Sequence, residues 1–200
     1  MIAVVDYYAG NIRSIENAFR RLGTTVKLTA KPSDLKTADA IILPGVGNFG
    51  DAMKQLEKYR EALAQEVNSG KPFLGLCLGA QVILEKSAEA PGVKGLGLLK
   101  GECKKFSGNL KIPHMGWNSI TPIKKTPLLA GIPKDAYFYF VHSYYPVPKD
   151  KDAIAATTDY GVTFPSVLVK DNIMATQFHP EKSGENGLQL LENFVSLCRR

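Results

Sequence analysis

The sequence has few cysteines and no long apolar run, and both absences narrow its class. Its 200 residues include three cysteines, Cys77, Cys103 and Cys198, which are odd in number and far apart. Such a set predicts neither a disulfide framework nor a zinc site, so we expect no metal and a reducing compartment. No apolar run reaches the roughly 20 residues of a membrane-spanning helix. The strand-like start, Met1 to Asp6, also lacks the basic leader of a signal peptide, and a cytoplasmic protein without membrane contact is expected.

The basic residues lack the interleaved aromatic residues that are typical of a nucleic-acid surface. The formal net charge is +6, but the lysines are dispersed in short pairs such as Lys104-Lys105 and Lys124-Lys125. We therefore expect no nucleic-acid partner. Most of the excess charge is interpreted as a solvated surface, with part of it available for a protein interface.

Strands and helices alternate through the first half of the chain. Apolar runs at residues 2–5, 26–28 and 40–43, and a fourth leading to Cys77, predict buried strands. Amphipathic stretches predict a helix capped by Asn11 and another over residues 51–68. Strands separated by helices form parallel βαβ units, which predicts an α/β fold with a doubly wound, mostly parallel sheet. In such sheets the active site lies beyond the carboxyl ends of the strands.

Short strand-like stretches dominate the second half. They are expected at residues 101–106, 117–121, 136–141, 153–158, 166–169 and 173–176. We predict that they form antiparallel hairpins that extend the same sheet, followed by a closing helix over residues 187–197. The length suits one domain over residues 1–200.

Cys77 lies between two glycines at the end of an apolar run, in Gly75-Leu76-Cys77-Leu78-Gly79. Because Gly75 and Gly79 have no Cβ, the backbone can turn sharply there and present the thiol at the tip of the turn. The residues after Cys77 have a helical pattern that includes Glu85, so the thiol would lie at a helix N-terminus, which favours the thiolate. Taken alone, Cys77 could equally be a buried structural residue.

The base that such a thiol needs is offered by His179-Pro180-Glu181. A lone histidine is more often structural, but His179 with Glu181 two residues later supplies a base and the carboxylate that orients it. Together with Cys77 they predict a Cys-His-Glu triad. His114 is expected to hold a loop rather than to catalyse.

A glycine-rich turn, residues 44–50, follows the third strand. It lacks the lysine of a phosphate-binding loop and the spacing of a dinucleotide-binding loop. An isolated Gly-x-Gly segment usually forms a tight turn without a binding role. With a cysteine nucleophile at a neighbouring strand end, we expect an oxyanion hole instead. Its donors would be the backbone N–H groups of Val46, Gly47 and Leu78.

These motifs together resemble those of the class I glutamine amidotransferase family, over nearly the whole chain. Residues 44–50, 113–118, 139–144 and 177–183 resemble those of one branch, the glutaminase subunits of imidazole glycerol phosphate synthases, which serve histidine biosynthesis. Most other branches carry a second glycine where Val46 stands. The departures from the family pattern, Tyr8 and Ala80, lie outside the triad.

The resemblance implies hydrolysis of glutamine to glutamate and ammonia through a cysteinyl thioester, with no cofactor. The ammonia would pass to a (βα)₈-barrel cyclase subunit, the partner in a heterodimer. The substrate contacts that the resemblance implies are Gln81, His142, Ser143 and Tyr144. Its interface or gating candidates are Trp117, Asn118, Tyr139 and Lys182.

The residues themselves indicate acyl transfer and leave alternatives open. Another amidotransferase subunit, such as one that serves anthranilate synthesis, would carry the same triad. A cysteine hydrolase or peptidase of related fold would act without glutamine or a partner, and a binding module with a vestigial site is a further alternative. If the chain is the glutaminase subunit that the resemblance implies, we also predict that Val46 holds its N–H away from the oxyanion site. The isolated chain would then be nearly inactive.

Overall fold

The computed structural model describes residues 1–7 and 12–199. Its strands, in chain order, are β1 (Ile2–Val5), β2 (Val26–Thr29), β3 (Ala40–Leu43), β4 (Phe73–Leu76), β5 (Lys86–Ser87), β6 (Gly101–Lys105), β7 (His114–Ser119), β8 (Thr121–Pro122), β9 (Tyr137–His142), β10 (Tyr144–Pro148), β11 (Ile154–Asp159), β12 (Thr163–Lys170) and β13 (Ile173–Thr176). Its α-helices are α1 (Ile12–Arg21), α2 (Phe49–Leu56), α3 (Arg60–Asn68), α4 (Leu78–Val82) and α5 (Gly184–Leu197). Across those described ranges, no helix combines the length and apolarity that crossing a membrane requires.

The central sheet has eight strands in the order β2-β1-β3-β4-β13-β12-β11-β8. The strands from β2 to β13 run parallel to their neighbours, and β12, β11 and β8 continue the sheet in antiparallel fashion. The predicted doubly wound, mostly parallel sheet with an antiparallel extension is confirmed.

Helices cover both faces of this sheet because the parallel strands are apolar on both sides. In β1, Ile2 and Val4 pack into the core under α1 and α5, whereas Ala3 and Val5 pack into the core under α2, α3 and α4. Successive side chains of a strand point to opposite faces, so a run such as Ile2–Val5 serves two cores at once.

Several predicted boundaries were wrong. The helix expected over residues 51–68 begins at Phe49, because the Asn48 side chain accepts the Asp51 N–H, and a 3₁₀ turn at Glu57–Tyr59 divides it. The helix after Cys77 ends at Val82, before Glu85. The closing helix begins three residues before the predicted start. The predicted Asn11 cap and the Tyr8 departure lie outside the described residues.

The prediction that the short strands of the second half all extend one sheet was also wrong. Only β8, β11, β12 and β13 join the central sheet, whereas β10-β6-β5 and β7-β9 form two small sheets of their own. Alternating polarity indicates that a segment is a strand, but it does not identify the neighbouring strand. Pairing over long sequence separations decides that.

A close approach between α4 and β3 fixes the position of Cys77. A Cβ on Gly79 would overlap the Leu43 carbonyl oxygen, and one on Gly75 would lie 2.8 Å from the Gly79 carbonyl oxygen. The glycines therefore let α4 start directly against the ends of β3 and β4. This brings the turn of residues 44–47 next to Cys77.

Gly79→Ala should lower the free energy of unfolding by about 2 to 3 kcal/mol, because the added methyl group meets backbone that cannot move aside. Urea unfolding followed by circular dichroism measures this. Gly50→Ala is the matched control, since its Cβ would lie 3.4 Å from that of Ala90 inside α2, and there alanine is favoured over glycine. Equal urea midpoints for Gly79→Ala and the unsubstituted chain would contradict the role given to this contact.

Candidate active site

Cys77 occupies a strained turn between β4 and α4. Its backbone has φ 52° and ψ −103°, a conformation that non-glycine residues rarely adopt. The Cys77 N–H donates to the Thr176 carbonyl at 2.8 Å, which ties the turn to β13. The thiol is nearly buried, 3.7 Å from Gln177 Nε2 and 3.8 Å from the Val141 carbonyl oxygen. The structure therefore contains the sharp strand-to-helix turn predicted around this cysteine.

His179 and Glu181 form a buried pair. Glu181 Oε1 lies 2.8 Å from His179 Nδ1, and the two side chains are only 4% and 2% exposed. The backbone of His179 is held from both sides: its N–H donates to the Tyr139 carbonyl, and its carbonyl accepts from Ser183 Oγ. A 3₁₀ turn that starts at Pro180 brings the Glu181 side chain back to the imidazole. The carboxylate thus orients the ring and leaves Nε2 free for other contacts.

Electrostatics favour a charged His179. Burial alone would lower its pKa, but the negative charge at Cys77 and the hydrogen-bonded Glu181 outweigh burial and raise the pKa of His179 to about 10. Within the described residues, His179 Nε2 has no hydrogen-bond partner of ordinary geometry, and Cys77 raises the pKa of His179 mainly through its charge, with a smaller hydrogen-bond contribution. The arrangement suits a thiolate–imidazolium pair, the reactive form of a cysteine nucleophile.

A cavity of about 330 Å³ opens beside the Cys77 thiol. The predicted oxyanion and substrate-contact residues all line it, namely Val46, Gly47, Leu78, Gln81, His142, Ser143 and Tyr144. Its volume suits a small amino-acid substrate rather than a long peptide. The structure therefore brings these separate sequence motifs to one place.

The glycine-rich turn presents a carbonyl group, not an N–H group, to the amide of Leu78. The Leu78 N–H donates to the Gly45 carbonyl oxygen at 3.4 Å. In a trans peptide the N–H points opposite to the C=O, so the Val46 N–H is directed away from Leu78. Tyr7 holds the preceding carbonyl in place, since its hydroxyl donates to the Pro44 oxygen at 2.6 Å. Two of the predicted oxyanion donors are thus turned from the site or already engaged.

Two polar residues at the site were not predicted from the sequence. Glu89 lies on the cavity wall, and its Oε2 accepts the Phe49 N–H at 2.8 Å. It follows β5 in an irregular segment, where no periodicity or motif marks a functional position. Gln177 is completely buried between Gln81 and Cys77, and its position two residues before His179 was a usable signal.

The predicted interface residues lie on the two-stranded antiparallel sheet of β7 and β9 (the β7-β9 ribbon) or beside it. Trp117 pairs with Tyr139 in register, with ring centroids 6.1 Å apart, and Lys182 Nζ lies 5.9 Å from the centre of the Tyr139 ring. The Asn118 amide, in contrast, is engaged within the chain and donates to the Asp159 carbonyl at 2.9 Å.

The expectation that His114 holds a loop was wrong. It is the first residue of β7 and is buried, and its ring is hydrogen-bonded to that of His142. The strand was missed here because the surrounding Pro113 and Gly116 are typical of loops.

We expect the His179 imidazole to stay protonated through neutral pH and to titrate near pH 10, measured by ¹⁵N NMR of the imidazole nitrogens. Because this pKa lies above the ordinary 6.5, the stability from the charged form is complete below pH 6.5 and is lost as the pH rises through about 10. Cys77→Ala should lower the pKa of His179, since it removes the opposing charge. A pKa of His179 at or below 6.5 in the unsubstituted chain would contradict the charged pair.

Comparisons with known proteins agree on the family. The family model described as glutamine amidotransferase class-I matches residues 3–198. The imidazole glycerol phosphate synthase subunit HisH of Methanothermobacter thermautotrophicus is 53% identical over 199 residues, with 100% of each chain covered. The subunit of the same name from Methanocaldococcus jannaschii is 52% identical over 197 residues, which cover 98% of this chain and 100% of that one.

Among solved structures, PurLQS from Thermotoga maritima superposes with a TM-score of 0.79 at 19% identity, covering 98% of this chain and 97% of that chain. At that identity the likeness shows the fold alone. The family model spans almost every residue, and the two HisH relatives match over nearly their full length. The chain therefore belongs to the class-I glutamine amidotransferase family.

Proposed function

We propose that this chain is the glutaminase subunit of an imidazole glycerol phosphate synthase, a single-domain cytoplasmic enzyme that hydrolyses glutamine and delivers the ammonia to a cyclase subunit. The observation that carries the proposal is the Cys77–His179–Glu181 arrangement beside one small cavity, in a chain 53% identical over its full length to such a subunit. The reaction is acyl transfer, for which a paired thiolate, a proton carrier and oxyanion donors are sufficient without metal or cofactor.

In this mechanism the Cys77 thiolate attacks the side-chain amide carbon of glutamine. The His179 imidazolium gives its proton to the leaving nitrogen, ammonia departs, and a γ-glutamyl thioester remains on Cys77. Neutral His179 then takes a proton from water, which attacks the thioester and releases glutamate. Glu181 keeps the ring oriented and stabilises its charged form in both steps.

The polar groups of the cavity wall match the ends of glutamine. Glu89 offers a carboxylate to the α-ammonium group of the substrate. Both Nε2 hydrogens of Gln81 are committed, to the Tyr144 carbonyl at 2.8 Å and to Gln177 Oε1 at 3.1 Å. Its Oε1 is thus the atom available to accept a hydrogen bond from a bound substrate. Ser143 and Tyr144 also line the cavity.

The oxyanion hole explains how the reaction is kept off in the isolated chain. With the Gly45 carbonyl directed at the Leu78 N–H, a developing oxyanion would meet an oxygen where it needs a donor. Rotation of the Gly45–Val46 peptide would exchange that carbonyl for the Val46 N–H and free the Leu78 N–H. We assign this rotation to binding of the partner with its ligand, which would favour the rotated state.

The face that would receive the (βα)₈-barrel partner carries exposed apolar side chains. Met115, Trp117 and Tyr137 are each more than half exposed and lie on the β7-β9 ribbon, beside the partly buried Tyr139. Exposed apolar residues grouped in this way are typical of a protein interface. The Tyr139 carbonyl accepts the His179 N–H, so this one residue connects the exposed face directly to the triad.

Cys77→Ala should reduce ammonia release from glutamine by about a thousandfold or more in the complex with the ligand-loaded cyclase subunit, because no other group can form the thioester. Coupled glutamate dehydrogenase assay of the ammonia measures this. Cys198→Ala, at the end of α5, is the matched control and should keep full activity. Retained activity in Cys77→Ala would disprove the mechanism. An inactive but assembled unsubstituted complex would indicate another synthase or a different hydrolase substrate.

Val46→Gly should raise ammonia release by the isolated chain about fivefold, because removal of a β-branched side chain frees about 1 kcal/mol of backbone restraint on the peptide. Steady-state assays without the partner measure this, and the maximal rate in the ligand-loaded complex should change far less. Basal activity in the unsubstituted chain equal to that of the complex would contradict the gated oxyanion hole.

A further inference from the structure

Two buried histidines, His114 and His142, are hydrogen-bonded to each other between the β7-β9 ribbon and the substrate cavity. His114 Nδ1 lies 2.9 Å from His142 Nε2. The other nitrogen of His142, Nδ1, lies 2.8 Å from the Tyr144 carbonyl oxygen. The other nitrogen of His114, Nε2, lies 3.2 Å from Asn118 Nδ2. All four ring nitrogens therefore have a partner.

These partners allow only one arrangement of protons. A carbonyl oxygen can only accept, so His142 must carry its hydrogen on Nδ1. Burial lowers the pKa of His142 to about 3 and that of His114 to about 4, so both rings are neutral. His142 Nε2 is then an acceptor, which places the hydrogen of His114 on Nδ1 as well. His114 Nε2 accepts from Asn118, whose Oδ1 is held by the Ser119 N–H at 2.8 Å.

The same chain of hydrogen bonds continues to the nucleophile. The Tyr144 carbonyl accepts from His142 Nδ1 and from Gln81 Nε2, so one oxygen joins the histidine pair to a substrate-contact residue. Gln81 also donates to Gln177 Oε1, and Gln177 Nε2 points at the Cys77 thiol. Each amide and imidazole in this series can take one orientation only, because reversing one of them would bring two donors or two acceptors together.

We propose that His114 is a positioning residue for glutamine hydrolysis: it donates to His142 Nε2, which keeps the His142 ring aligned with its Nδ1–H on the Tyr144 carbonyl and thereby holds that carbonyl and the Gln81 amide at the substrate wall. The proposal rests on the proposed function for the identity of the substrate. Loss of the His114 donor has a specific expected effect: it leaves His142 Nε2 buried without a partner. The His142 ring can recover a partner only by giving up its alignment to Tyr144.

A packing role for His114 competes with this proposal. Its ring stacks on Phe140 and on Tyr160, with centroids 4.8 Å and 4.0 Å apart, and in a packing role another aromatic ring would fill the same space. Two substitutions separate the roles. His114→Phe keeps the stacking and removes the donor, whereas His114→Asn loses the stacking but carries an amide nitrogen at the distance of Nδ1 from the backbone.

The experiment combines ¹⁵N NMR of the imidazole nitrogens with glutaminase kinetics. The sequence contains three histidines, so removal of one at a time assigns every signal. In the unsubstituted chain we expect His114 and His142 both as neutral Nδ1–H tautomers. His114→Phe should release His142 from that tautomer and raise KM for glutamine about tenfold in the ligand-loaded complex, with a smaller change in kcat. His114→Asn should retain the His142 tautomer and a KM close to that of the unsubstituted chain.

The opposite ranking, with His114→Phe normal and His114→Asn impaired, would overturn the proposal in favour of packing. So would an Nε2–H signal from either residue in the unsubstituted chain, whether or not the variants fold. The tautomers are measured without glutamine or partner, so they test the histidine pair even if the complex shows no glutaminase activity. That second result would count against the proposed function alone.

Discussion

The close contact between Gly79 and the carbonyl oxygen of Leu43 is the constraint from which the site follows. It lets α4 begin against the carboxyl end of β3, and the chain reaches that position from β4 through the positive φ of Cys77. Strain of this kind is stable only where neighbouring structure over-determines it. Here the hydrogen bond from Cys77 to the Thr176 carbonyl and the packing of Ala80 and Leu78 in one core supply that support. Cys77 thereby shares a cavity with the glycine-rich turn and interacts electrostatically with His179.

The thiol has charged groups on one side and neutral, hydrogen-bonded groups on the other. His179 and Glu181 form a buried pair, and burial would lower the pKa of His179 if the negative charges at Cys77 and Glu181 were absent. In the proposed mechanism this pair supplies the proton for the leaving nitrogen. On the other side, neutral groups of fixed orientation shape the substrate wall from Gln177 to His114. The Gly45 carbonyl, in contrast, accepts the Leu78 N–H, where the proposed mechanism needs a donor for the oxyanion. In that mechanism, rotation of the Gly45–Val46 peptide converts the inactive site into the active one.

The sequence predicted the parts of the fold that depend on local pattern. Apolar runs such as Ile2–Val5 identified the parallel sheet, and the glycines on either side of Cys77 identified the strained turn. The spacing of His179 and Glu181 identified the buried pair. It did not predict what depends on distant pairing. The β7-β9 ribbon stands apart from the central sheet, and Glu89 reaches the cavity from an irregular segment. The contact of His114 with His142 arises only when two strands 28 residues apart pair in register.

In the proposed mechanism, the Gly45–Val46 peptide must rotate before glutamine can react. A crystal structure of the complex with the ligand-loaded cyclase subunit, with Cys77 trapped by a glutamine-like electrophile, would show whether it has rotated. We expect the Val46 and Leu78 N–H groups both to lie within hydrogen-bond distance of the trapped oxygen, and the bond from Leu78 to the Gly45 carbonyl to be broken. A Cys77 adduct in which Leu78 still donates to that carbonyl would disprove the rotation.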